Sequence, residues 1–101
     1  APQIIVGDFN AIPHQWCIRF LTGRAEMDGK HGDFVDAWVA VHPSDLGYTF
    51  RADQPMRRID YIFVRGNITV TDARLVGNQP DAAGVYPSDH CGVVAEMQWG
   101  A

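Results

Sequence analysis

Two strands and the turn between them are encoded in residues 57–71, RRIDYIFVRGNITVT. Residues 59–64 are apolar except for Asp60, the segment 65–67 (Arg-Gly-Asn) is a turn signal, and residues 68–71 alternate with the period of a strand. Aspartate is depleted in strands and costly to bury without a partner, so Asp60 requires a nearby histidine or cation. The stretch therefore predicts two neighbouring strands with a polar site built into the first.

Further strands are predicted on both sides of this stretch. Residues 4–6 (Ile-Ile-Val) form a β-branched apolar run that stops at Gly7-Asp8, a pattern typical of a strand buried on both faces. Residues 48–50 (Tyr-Thr-Phe) predict a brief strand. An irregular loop over residues 77–88 then leads into a final apolar strand at residues 91–97.

Two short helices are predicted between the first strand and residue 43. Apolar residues recur at helical spacing over residues 16–21, and Gly23 follows as a helix end would. The second helix is expected over residues 33–41, with Asp33 as its N-cap and Pro43 beyond its end. The predicted order is β-α-α-β-β-β-β, an α/β fold with one mostly antiparallel sheet.

Size and charge limit the classes of protein that this chain can represent. At 101 residues it is expected to form a single domain over 1–101, and its 47% hydrophobic and 20% charged residues are ordinary for a packed soluble protein. The net charge of −4 argues against binding nucleic acid by bulk attraction, because such domains carry a basic stripe. Any recognition of phosphate must therefore be local.

Cysteine content and hydropathy leave the compartment open. Cys17 and Cys91 lack zinc-site spacing and are expected to be buried, while a bridge between them is left open. No run approaches the roughly 20 apolar residues of a membrane helix. We expect a soluble chain without a membrane span, whose parent protein is either of a bacterial cytoplasmic type or secreted.

Three acidic motifs lie at the ends of predicted strands. Asp8 and Asn10 follow the first strand, Asp60 lies in the third, and Asp89-His90 precedes the last. Each aspartate alone has an ordinary role available, in a turn or facing solvent. Together they match a sheet-rim active site, because strand ends bring distant residues to one crevice. A serine nucleophile at position 88 is disfavoured, since no nucleophile-elbow motif surrounds it.

The motifs at residues 6–10 (VGDFN), 57–63 (RRIDYIF) and 87–90 (PSDH) resemble, in order, the signatures of the endonuclease/exonuclease/phosphatase superfamily. The resemblance implies a DNase I-like four-layer α/β sandwich, of which this chain would be the C-terminal half. It also implies a metal-dependent hydrolase of phosphodiesters or phosphomonoesters. The substrate is then a phosphate ester of a nucleic acid, lipid or sugar, and the cofactor is Mg²⁺ or Mn²⁺.

The resemblance also assigns roles to individual residues. Asp8 would orient or deprotonate the attacking water, Asn10 would donate to phosphoryl oxygens, and His90 would meet negative charge developing on phosphate. Asp60 would pair with His90, and Asp89, together with Asp8, would hold the metal. Thr49 and Arg58 are further candidates for contacts with substrate phosphate.

The family's N-terminal half, with its metal-binding glutamate, has no counterpart in these residues. The chain alone is therefore expected to have weak or no activity, and its open sheet face is expected to favour self-association. An alternative hypothesis is a non-catalytic α/β module that binds a partner through that face.

Overall fold

A computed structural model of the chain describes residues 1–100 and contains two antiparallel sheets. The first sheet has the order β1-β3-β2 and is formed by β1 (Gln3–Asp8), β2 (Val35–Asp36) and β3 (Asp60–Arg65). The second pairs β4 (Ile68–Val76) with β5 (Gly92–Trp99) and has an irregularity between Val70 and Asp72. Two short helices complete the fold, α1 (Trp16–Leu21) and α2 (Ala37–Val41). The prediction of an α/β fold with antiparallel strands and two short helices is confirmed.

The strands divide into two sheets where the sequence predicted one. Both edges of β3 are already paired at Phe63, which lies opposite Ile5 of β1 on one side and Asp36 of β2 on the other. Backbone hydrogen bonds on both edges leave β3 no free edge for β4. β4 therefore leaves the turn at residues 66–67 to pair with β5 alone.

The second helix begins three residues later than the sequence predicted, since its N-cap is Asp36 in place of Asp33. Residues Val35–Asp36 pair with β3 as a short strand, so the observed order of elements is β-α-β-α-β-β-β. Asp36, and not Asp33, is the N-cap, and its carboxylate accepts a hydrogen bond from the Trp38 backbone N–H at 3.1 Å. Pairing with β3 has overridden the local helix signal in this segment.

β1 is more exposed than its apolar sequence predicted. Ile4, Ile5 and Val6 are 42%, 36% and 63% exposed. The prediction of a strand buried on both faces is wrong for the described residues, because β1 is an edge strand with no layer packed over it. Its pairing with β3 nevertheless fixes the position of Asp8 at its end.

A buried apolar cluster lies next to the end of β1. Ile18 of α1 and Tyr61 and Phe63 of β3 are buried there, and Phe9 packs edge-on against both aromatic rings. The Tyr61 hydroxyl donates to the Ala11 backbone oxygen at 2.7 Å. This packing fixes the chain immediately after Asp8, so the first acidic motif lies on a rigid support.

A buried ion pair joins α2 to the segment before β3. Arg58 Nη1 lies 2.8 Å from Asp36 Oδ2, and both side chains are less than a tenth exposed. The Nη1 atom has no hydrogen bond of good geometry within residues 1–100, so the contact with Asp36 through Nη1 is one of charge. The Arg58 guanidinium also lies 4.9 Å above the Tyr61 ring. The pair ties the helix to the apolar cluster.

The two cysteines differ in environment and do not form a bridge. Cys17 is exposed on α1, which corrects the expectation of a buried residue, because the helix turns its Ile18 side and not its Cys17 side toward the core. Cys91 is buried, and burial raises the pKa of its thiol. Within residues 1–100, no helix has the length and apolar character needed to cross a membrane.

Candidate active site

Asp8 and Asp60 face each other across two strands. Asp8 is the last residue of β1, Asp60 is the first of β3, and the two are directly paired in the antiparallel register. Like charges in directly opposed positions destabilise a sheet unless a cation lies between them. The register therefore favours a positive charge between Asp8 and Asp60 at this end of the sheet.

His90 can provide this positive charge. Its Nδ1 lies 2.8 Å from Asp60 Oδ2, and its Nε2 lies 3.8 Å from Asp8 Oδ2. The imidazole thus stands between the two carboxylates, with the closer contact to Asp60. An Nδ1–H that donates to Asp60 leaves Nε2 directed toward Asp8 and the exposed side of the site.

Contacts from a neighbouring segment hold His90 in this position. The ring lies 5.0 Å from that of Phe50, and the two residues form an isolated β-bridge. The His90 backbone N–H donates to Ser88 Oγ at 3.1 Å. The backbone N–H of the next residue, Cys91, donates to the backbone carbonyl oxygen of Thr49 at 2.7 Å. The loop before β5 is therefore fixed on both sides of the histidine.

The electrostatics follow from this arrangement. The hydrogen bond with Asp60 raises the pKa of His90 above its ordinary value, and the charges of Asp60, Asp8 and Asp89 act in the same direction. Partial burial acts against them and is outweighed. The carboxylates thus favour the imidazolium, the form that can neutralise negative charge on a bound phosphate.

Because Asp60 is the main cause of the raised pKa, we expect Asp60→Asn to lower the pKa of His90. The pKa is measured by NMR titration of the metal-free protein. A raised folded-state pKa contributes stability that is fully present below about pH 6.5, the unfolded value. That contribution is lost as pH rises through the folded value, and Asp60→Asn should reduce it. An unchanged His90 titration in Asp60→Asn would contradict the assigned pair.

Thr49 has a structural task, and this structure gives no support to the contact with substrate expected from the sequence. Its side chain is 0% exposed. Its hydroxyl accepts from the backbone N–H groups of Ile59 and Asp60 at 3.2 and 3.3 Å. The hydroxyl is thus committed to the start of β3, where it helps to position Asp60 from beneath.

Arg58 is likewise withdrawn from substrate. It is 6% exposed, and its charge faces Asp36 and the Tyr61 ring. The expectation that it contacts phosphate gains no support from this structure, because its guanidinium is already paired with Asp36 and is largely buried. Its neighbour Arg57 is exposed, with its guanidinium 5.0 Å above the Phe50 ring.

Asn10 and Asp89 lie at the margin of the site. Asn10 is exposed, adopts φ +48°, and donates its backbone N–H to Asp8 Oδ1 at 2.9 Å, which orients that carboxylate. The Asp89 side chain is exposed beside Ser88 and lines a separate cleft of about 210 Å³ with Arg51 and Tyr86. Of the predicted residues, Asp8, Asp60 and His90 are therefore brought together most closely.

The donor atoms of Asp8, Asp60 and His90 lie within 4.8 Å of one another, close enough to share a cation. Asp8 and Asp60 also line a cleft of about 320 Å³ between β1, β3 and β5. Carboxylate oxygens suit Mg²⁺ or Mn²⁺, whereas imidazole is a less suitable ligand for Mg²⁺, and here it is engaged by Asp60. The residues thus fit a hard cation held mainly by Asp8, with water and substrate as further ligands.

Phe50 is the contributor that the sequence did not reveal. For Phe50 the sequence predicted only a place in the brief strand at residues 48–50, yet its ring contacts both His90 and Arg57. An aromatic residue beside a strand threonine carries no sequence signal for such a role. Only the bridges from Phe50 to residues 57 and 90 reveal it.

Comparisons with known proteins identify the family and the fold of the chain. The profile of the Endonuclease/Exonuclease/phosphatase family matches residues 1–90. No curated protein matches the chain. A crystal structure of an endonuclease/exonuclease/phosphatase from Bacteroides vulgatus is similar, with a TM-score of 0.72 and 20% identity, over 98% of this chain and 37% of that one.

A second similar structure is D. rerio TDP2 humanized by 14 mutations, with a TM-score of 0.69 and 24% identity, over 96% of this chain and 40% of that one. This chain therefore spans two-fifths or less of each structure, and the likeness shows a shared fold. With its three motifs in order, a DNase I-like fold and a family match over residues 1–90, the chain belongs to the endonuclease/exonuclease/phosphatase family.

Proposed function

We propose that the protein containing this chain hydrolyses phosphate esters with the aid of a divalent cation, Mg²⁺ or Mn²⁺. The observation that carries the proposal is the imidazole of His90 held between the opposed carboxylates of Asp8 and Asp60. A cationic donor beside a free carboxylate is the pair of groups that attack by water on a phosphoryl centre requires.

In this proposal Asp8 orients the attacking water and accepts its proton. Its carboxylate is 42% exposed at the side-chain level, so water reaches it, and the Asn10 N–H fixes its direction. Hydrogen-bond reach to the water is the first requirement of a general base. The Asn10 amide is free to donate to a phosphoryl oxygen.

His90 stabilises the charge that develops on the phosphoryl oxygens. Asp60 holds Nδ1 and directs Nε2 outward, so the imidazolium is oriented before substrate arrives. Such preorganisation avoids the reorganisation that water would have to undergo. A cation held mainly by Asp8 would, when bound, act as a Lewis acid on a phosphoryl oxygen.

We expect the chain alone to bind metal weakly and to have little activity. Mg²⁺ retains most of its waters and is usually held by one or two carboxylates with substrate phosphate. Asp89 lines a cleft separate from the one beside Asp8 and Asp60. The proposal therefore includes a principal metal-binding carboxylate from outside residues 1–101. The identity of the phosphate ester depends on the complete protein.

Calorimetric titration with Mn²⁺ tests the metal part of the proposal. We expect weak binding to this chain that Asp8→Asn abolishes, because Asp8 provides its exposed carboxylate. Asp72→Asn is the matched control, since Asp72 is paired with Arg74 on β4, away from the Asp8–Asp60–His90 cluster. The full-length product of the gene should bind more tightly and cleave bis(p-nitrophenyl) phosphate. If it neither binds Mn²⁺ nor cleaves that ester, the proposal fails.

The exposed apolar strand β1 favours a second candidate function, a binding module without catalysis. Ile4, Ile5 and Val6 would there hold a partner or a second copy of the chain. The same titration separates the two candidates. A full-length protein without metal binding or cleavage would support the module.

A further inference from the structure

The Asp60–His90 pair joins two sheets that share no strand pairing within residues 1–100. Asp60 is the first residue of β3, which pairs with β1 and β2, and His90 lies two residues before β5, which pairs with β4. The pair nevertheless holds Asp60 Oδ2 and His90 Nδ1 at 2.8 Å. A connection other than a strand ladder is therefore needed to align the two sheets at this point.

Residues 49–50 lie between the two sheets and form backbone contacts with both. On one side, the N–H groups of Thr49 and Phe50 both donate to the Arg57 carbonyl oxygen, at 2.9 and 3.1 Å. On the other side, the Cys91 N–H donates to the Thr49 carbonyl oxygen at 2.7 Å, and Phe50 forms a β-bridge with His90. This short segment thus connects the chain leading into β3 with the loop that carries His90.

The Thr49 hydroxyl extends this connection to Asp60 itself. It accepts from the N–H groups of Ile59 and Asp60 at 3.2 and 3.3 Å. Thr49 is fully buried, so water has no access that would let it replace the hydroxyl. One buried residue therefore bonds to the backbone of Asp60 on one side and to the residue after His90 on the other.

We propose that Thr49 is a positioning residue that aligns Asp60 with His90 across the two sheets. The inference rests on the proposed function and adds a residue that acts through this pair without touching substrate. Support of this kind matters because a displacement of about 1 Å at a catalytic group can lower a rate by about 100-fold. A substitution can remove the hydroxyl and leave the backbone contacts with Arg57 and Cys91 in place.

Thr49→Val and Thr49→Ser in the full-length protein separate the role of the hydroxyl from that of the side-chain volume. Valine keeps the volume but offers no acceptor, so two buried N–H groups lose their partner. We expect Thr49→Val to lower kcat for bis(p-nitrophenyl) phosphate by about 100-fold with KM nearly unchanged. Thr49→Ser keeps the oxygen and should retain most of the wild-type rate.

Thr71→Val is the matched control for the loss of a threonine hydroxyl. The Thr71 hydroxyl donates to the Glu96 backbone oxygen at 3.2 Å on the surface of the second sheet, so its loss should leave kcat unchanged. Circular dichroism at the assay temperature checks that each variant is folded. If Thr49→Val does not fold, Thr49→Ala takes its place, because it removes the same oxygen.

The NMR resonance of the proton on His90 Nδ1 gives a second readout, measured on the metal-free protein. It reports the hydrogen bond to Asp60 and does not depend on hydrolysis. We expect it at one position in wild type, Thr49→Ser and Thr71→Val, and shifted or lost in Thr49→Val. A folded Thr49→Val that keeps either the wild-type rate or the wild-type resonance would overturn the proposal. Equal losses of rate in Thr49→Val and Thr49→Ser would overturn it too, because volume would then be the cause.

Failure of this inference can be distinguished from failure of the proposed function. If wild type and Thr49→Val cleave the ester equally fast, only the role of Thr49 is lost. If wild type does not cleave it, the function itself is lost, and the Nδ1 resonance still decides whether Thr49 aligns Asp60 with His90.

Discussion

Replacement of His90 by alanine in the full-length protein is expected to lower kcat/KM for a phosphodiester by roughly 100- to 10,000-fold. The imidazole is the positive group between Asp8 and Asp60, so its loss removes the donor to the phosphoryl oxygens. It also leaves two carboxylates directly opposed, which repel an anionic substrate. The fall should appear mainly in kcat, because the interaction is strongest in the transition state.

A matched histidine provides the control for this variant. His31 is exposed, and its Nδ1 lies 2.7 Å from the backbone oxygen of the neighbouring Gly32. His31→Ala should therefore retain the wild-type rate. Circular dichroism should show both variants folded, because His90 contributes one partly exposed ring to the packing. A His90→Ala enzyme as active as His31→Ala would remove His90 from the chemistry.

The second large effect concerns stability. We expect Asp36→Ala to lower the free energy of unfolding by about 3–5 kcal/mol, because it leaves the charge of Arg58 buried without its carboxylate. The substitution also removes the side-chain cap of α2. A loss of this size is a large share of the total free energy of unfolding of a small domain. Equilibrium unfolding in urea measures this change in the free energy of unfolding. It is obtained from the shift of the transition midpoint, provided that the m-value is the same for both proteins.

An exposed pair provides the control for this experiment. Asp33 and Arg65 form an ion pair at the surface, and the hydrogen bond from Arg65 lowers the pKa of Asp33. Because solvent screens that pair, Asp33→Ala should shift the midpoint far less than Asp36→Ala. The double variant Asp36→Leu, Arg58→Met should recover much of the lost stability, since no buried charge remains. Equal losses from Asp33→Ala and Asp36→Ala would contradict the role of burial.

Local sequence patterns were sufficient to predict most of the elements. The apolar runs that become β1, β3 and β5 and the helical spacing of α1 lie where the structure has them. The pairing of the strands was harder to predict from sequence, because register depends on contacts between segments far apart in the chain. Val35–Asp36 pair with β3, and this pairing shortens the second helix. Because both edges of β3 are paired, β4 forms a second sheet with β5.

The candidate site shows the same division. The aspartates at strand ends indicated a site, and Asp60 inside an apolar strand indicated a partner such as His90. The direct opposition of Asp8 and Asp60 follows from register and was not predictable. Thr49 and Arg58 are buried, and the sequence alone could not distinguish them from exposed polar residues such as Arg57.

We propose that Asp8, Asp60 and His90 form a metal-assisted site for phosphate-ester hydrolysis. The decisive measurement is the rate at which the full-length protein cleaves bis(p-nitrophenyl) phosphate in Mg²⁺ and after chelation, for wild type and Asp8→Asn. We predict that wild-type cleavage disappears on chelation and returns with Mg²⁺, while Asp8→Asn stays at background throughout. Cleavage by Asp8→Asn at the wild-type rate would contradict the claim.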